Sequence, residues 1–89
     1  MKKIYCELHM FDLHQRVYVV DPETGIRECV AITTMEGLPE VISAISNEKK
    51  LDKVILSGNS IFGAAVSEDI IAYSKKNYNW NNIEVEVLK

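Results

Sequence analysis

Apolar and polar positions alternate along residues 3–11. Ile4, Cys6, Leu8 and Met10 share one side, and Tyr5, Glu7, His9 and Phe11 share the other. A period of two is that of a strand with one face in the core. A short turn at Asp12–His14 leads to Arg16–Val20, a β-branched and aromatic run that reads as a second strand. In Asp21-Pro22-Glu23-Thr24-Gly25, Asp and Pro open a turn and Gly accepts positive φ at its close. A third strand over Ile26–Thr33 completes a meander.

The period then changes. Leu38, Val41, Ile42 and Ile45 recur at helical spacing, with Glu40, Asn47 and Glu48 off that stripe. Thr33-Thr34-Met35-Glu36 fits a capping box, and Pro39 suits a first helical turn. Lys53–Ser57 is short and apolar through its middle, as expected of a strand at a crowded sheet centre. Gly58-Asn59 breaks it. A second helix follows over about residues 61–77, starting after Ser60 or, if Ser67 is the cap, later. Asn77–Asn82 reads as a loop, and Ile83–Val87 alternates cleanly as a last strand.

The order β-β-β-α-β-α-β, without repeat or linker, predicts one α/β domain over residues 1–89. Parallel crossovers are right-handed in about 98% of cases. The simplest sheet is then mixed, of order 3-2-1-4-5, with both helices on one face and the other face bare. The sequence is expected to end before a third helix could cover that bare face.

This order, with Val54-Ile55-Leu56-Ser57-Gly58-Asn59-Ser60-Ile61-Phe62-Gly63 leading into a helix and a final strand, resembles the ribonuclease H-like fold. In particular it resembles a half-domain of the actin-like ATPase and sugar-kinase group. The resemblance implies a nucleotide- or metal-dependent phosphoryl-transfer site near the ends of the first and fourth strands. Members carry an Asp on the first strand and then a glycine turn, where this chain has Cys6-Glu7-Leu8-His9. A carboxylate is wanted at the end of the fourth strand, where it has Ser57-Gly58-Asn59. The resemblance therefore supports the fold and argues against the activity.

Ten basic and 13 acidic residues give a net charge of −3. Nucleic-acid binding rests on phosphate neutralisation, so an acidic domain is a poor candidate for it. Lys49-Lys50-Lys53 and Lys75-Lys76 sit where helix C-termini favour cations. Apolar residues make up 47%, enough for a core without metal or disulfide. No run approaches a membrane span, and Glu7, His9 and Asp12 interrupt what would be a leader's apolar stretch. A cytoplasmic protein with no cofactor is expected, with Cys6 and Cys29 as buried, reduced thiols.

Candidate chemistry is sparse. Glu7, Asp12 and Glu36 follow no ligand spacing, and His9 and His14 lack a third partner, so no metal is expected. No nucleophile–base arrangement is recognisable, and no catalytic residue is assigned. The turn Ser57-Gly58-Asn59-Ser60 stands at a strand end before a helix, where an anion or nucleotide could bind or where a cap alone would suffice. The bare face is more informative. It offers Tyr5, Glu7, His9 and Phe11 from the first strand, Arg16, Tyr18 and Val20 from the second, and Glu84 and Glu86 from the last. Exposed aromatics with Arg are favoured in protein interfaces, while the carboxylates would repel phosphates. Trp80 is either a second anchor or a staple for its loop. These features point to a non-enzymatic protein-interaction or self-association module, with a homodimer expected through Tyr5, Phe11, Arg16 and Tyr18.

Overall fold

Both periodicities become elements. A computed structural model describes residues 2–9, 13–58 and 61–88, with only the backbone path at 58 and 61–65. The strands are β1 (Lys3–Leu8), β2 (Gln15–Val20), β3 (Arg27–Thr33), β4 (Lys53–Gly58) and β5 (Glu84–Leu88). The helices are α1 (Leu38–Lys49) and α2 (Ile61–Asn77), and a 3-10 turn, Trp80–Asn82, precedes β5. The sheet has the order β3-β2-β1-β4-β5. β2 is antiparallel to β1 and β3, while β1, β4 and β5 are parallel, as the crossover argument requires.

Helical stripe and strand faces meet as the pattern predicts. Leu38, Ile42 and Ile45 of α1 and Ile70 of α2 join Ile4, Cys6, Leu8, Val17, Val19, Val54 and Leu56 in one core. Val41 and Val85 are partly buried at its margin. Both helices thus lie on one side of the sheet. Each fully buried Leu, Ile or Val contributes about 1.5–3 kcal/mol.

The hairpin closes as its residues suggest. Gly25 takes φ 73°, its N–H donates to Asp21 O at 2.7 Å, and Asp21 Oδ1 accepts from Glu23 N–H at 2.9 Å. The start of α1 departs from expectation. No side chain caps it, and its N-cap is Gly37. Pro39 in the first turn sets the start, and Thr34 closes a separate turn before it. In that turn Thr34 O and Oγ1 both accept from Gly37 N–H, at 3.1 and 3.2 Å. A Cβ at Gly37 would meet Thr33 Oγ1, so a larger residue there requires the Thr33 side chain to turn away. Ser67 is buried within α2 and is not its cap. Ser60 lies outside the described residues.

Cys6 is fully buried, whereas Cys29 is exposed, contrary to expectation. The cause is a bulge. Val17 faces Ala31 but Tyr18 faces Cys29, which leaves Val30 as an extra residue in β3. The shift turns Ala31 toward the core and Cys29 outward beside Tyr18.

Candidate functional site

Pairing arranges the uncovered face in three rows across the five strands. The first row runs Arg27, Val20, Lys3, Lys53, Glu84. The second runs Cys29, Tyr18, Tyr5, Ile55, Glu86, and the third Ile32, Arg16, Glu7, Ser57, Leu88. Residues paired across a ladder point to the same face, and each row alternates with the buried set. Among the described residues no element covers this face.

The centre of the face is organised around Glu7. Arg27 reaches across the sheet, its guanidinium 4.3 Å from the centre of the Tyr5 ring, and its Nη1 lies 3.3 Å from Glu7 Oε1. Tyr5 OH donates to the same oxygen at 3.3 Å, and His9 Nε2 lies 3.5 Å from Glu7 Oε2. The Arg27–Glu7 ion pair is solvent-exposed and contributes about 0–1 kcal/mol, and the same guanidinium stacks over the Tyr5 ring. Beside Tyr5, Ile55 is only 5% exposed although it belongs to the uncovered side. It lies mid-sheet between Tyr5 and Glu86, and Lys53 Nζ pairs with Glu86 Oε2 at 3.6 Å alongside it. At the two margins Ile32 is 60% exposed and Leu88 38%.

Of the anticipated interface residues, Tyr5, Arg16 and Tyr18 share this face, and Phe11 lies outside the described residues. Trp80 is fully buried in the core on the helical side, so it is the staple and not an exposed anchor. Ser43 Oγ donates to Tyr78 O at 3.4 Å and helps hold that loop to α1. Ser57 and Gly58 end β4, while Asn59 and Ser60 lie outside the described residues. Arg27, Cys29, Ile32, Ile55 and Leu88 were missed as members of the face. Alternation from Ile55 through Ser57 could have flagged the β4 residue, but Cys29 and Ile32 depended on the bulge.

Of the candidate metal ligands, Asp12 lies outside the described residues. Glu7 is held on the open face, whereas Glu36 lines the helical side, and among the described residues no three His, Cys, Asp or Glu side chains form a metal-sized group. Concavities lie elsewhere. One of about 310 Å³ lies among Met35, Pro39, Ile70 and Tyr73, and one of about 290 Å³ among Ser46, Lys50, Asp52 and Asn82. No Cys or His lines either. No described helix is long and apolar enough to cross a membrane. No protein-family model, curated protein or solved structure matches this chain.

Proposed function

We propose that this protein is a non-enzymatic interaction module whose uncovered sheet face binds protein, with a second copy of its own chain as the partner. The observation that carries the reading is the face itself. Tyr5 and Tyr18 stand half-buried at its centre beside Arg16 and Arg27, with the exposed Ile32 and Leu88 at its two margins, and exposed aromatics with Arg are what interfaces favour. On this reading the strand order is that of the ribonuclease H-like resemblance, and the phosphoryl-transfer site is degenerate. Glu7, the carboxylate nearest that site, has Arg27 and Tyr5 as its partners, which makes it a counter-ion. The two unpaired cysteines suit a reducing compartment, and the reading places the module in the cytoplasm.

Sedimentation at micromolar concentration tests this. The natural chain should run as a dimer, and Tyr18→Glu and the surface variant Ile32→Asp should each run as folded monomers. A dimer indifferent to both changes overturns the reading, as does a strict monomer. The competing phosphoryl-transfer reading requires magnesium with ATP to raise the melting temperature, and no shift is expected.

A further inference from the structure

The polar cleft of about 290 Å³ opens where β4 and β5 begin, at the opposite end of β4 from the Ser57–Gly58 turn. Its walls are the two connectors that enter those strands, residues 50–52 after α1 and 78–83 after α2, with the last turns of α1 as a third side. Hydrogen bonds tie these walls together. Leu51 N–H donates to Ser46 O at 3.0 Å, Glu84 N–H to Asp52 O at 2.7 Å, and Ser43 Oγ to Tyr78 O at 3.4 Å. The chain itself thus sets the shape of the cleft, as is usual of ligand sites. Two opposite charges line it, and the fold uses neither. Lys50 and Asp52 stand two residues apart, and among the described residues neither side chain has an ion-pair or hydrogen-bond partner. The side-chain amides of Asn47 and Asn82 are also unpartnered there. Lys50 is held at φ 54°, where glycine would be unstrained, and Lys49 already gives the helix end its cation. Lysine at this position therefore bears strain for a side chain that lines the cleft.

We propose that this cleft binds a free α-amino acid with an amide side chain. Lys50 takes the α-carboxylate, Asp52 takes the α-ammonium, and the amides of Asn47 and Asn82 pair with the ligand's own amide. One cation and one anion in the same cleft suit a ligand that carries both charges close together. An anion alone would meet the Asp52 carboxylate, a cation alone would meet the Lys50 ammonium, and a neutral sugar would leave both charges uncompensated. Each Asn amide offers a donor and an acceptor, which a ligand amide matches on both counts. The volume lies at the low end of the roughly 300–1,000 Å³ of ligand pockets, so the occupant is smaller than a drug-sized molecule. None of these residues belongs to the open sheet face, so the site stands apart from the interaction reading above.

Titration of the natural chain with L-glutamine and with L-asparagine, followed by backbone amide NMR shifts, tests this. With at least one of the two, the shifts should saturate with a Kd of about 1 mM or below and centre on residues 43–52 and 78–84. Lys50→Gly and Asp52→Asn should each weaken that binding roughly tenfold or more, because each removes a charge-assisted hydrogen bond. Lys50→Gly also relieves the backbone, so its loss of binding should come with no fall in melting temperature and cannot reflect unfolding. The N-acetyl form of the ligand, which lacks the ammonium, should bind the natural chain as weakly as the free amino acid binds Asp52→Asn. The proposal is overturned if neither amino acid gives saturable shifts at roughly 50 mM. Binding that survives both substitutions overturns it too. Glucose binding as tightly as the amino acid would do the same, by making the cleft a site for uncharged polar ligands.

Discussion

Gln15 has a fully buried side-chain amide at the point where β1 ends. Its Oε1 accepts from His9 N–H at 2.7 Å and its Nε2 donates to His9 O at 2.9 Å, so one side chain takes the place of a further ladder residue. This accounts for the end of β1 at Leu8. Gln15→Leu should cost about 1–3 kcal/mol in urea unfolding, because both His9 backbone groups lose a buried partner. A loss below half of that range would reject the clip. The two thiols contrast in the same local way. Burial, reinforced by the charge of Glu7, pushes the Cys6 thiol up to about 12 from 9.0. The unfolded chain releases this proton above pH 9 while the folded one holds it, so stability should fall as pH rises from 9 toward 12. Cys6→Ala should flatten that slope relative to the natural chain. At pH 8 a thiol reagent should label Cys29 at once and Cys6 only on unfolding.

At the scale of elements, two backbone sites of the same handedness invite opposite substitutions. Gly25 holds φ 73° at the hairpin close, and a Cβ there would meet nothing within 4 Å. Gly25→Ala should therefore destabilise by about 1 kcal/mol through backbone strain alone. Lys50 ends α1 with φ 54° and bears the penalty that Gly25 avoids. The turn is held by Leu51 N–H donating to Ser46 O at 3.0 Å and by Ser46 Oγ donating to Leu51 O. Lys50→Gly keeps both bonds and should stabilise by roughly 1 kcal/mol. Equal signs for the two changes in thermal melting would contradict these turn assignments.

Across the whole molecule, a helix-covered face backs a face of aromatic, aliphatic and charged groups. Dimerisation that buries the second face ties melting temperature to chain concentration, because association stabilises only the folded form. The natural chain should melt higher as concentration rises from micromolar to submillimolar, while Tyr18→Glu should melt at a constant temperature. A melting temperature independent of concentration in both would deny that the face is used for self-association.

The order of elements and the sheet order 3-2-1-4-5 could be read from the chain because they depend on local periodicity and on one rule of handedness. So could the burial of Leu38, Ile42 and Ile45 and the positive φ of Gly25, each set by near neighbours. Other features required the assembled sheet. The bulge that exposes Cys29 is a property of the β2–β3 pairing, in which one residue of β3 has no partner. Trp80 is enclosed because its 3-10 turn packs against α2, and an Asn-rich stretch looks the same whether it packs inward or not. Arg27 meets Glu7 across 20 residues of sequence and two strands of sheet. Periodicity assigns a side chain to a face; only register decides which distant side chains lie beside it there.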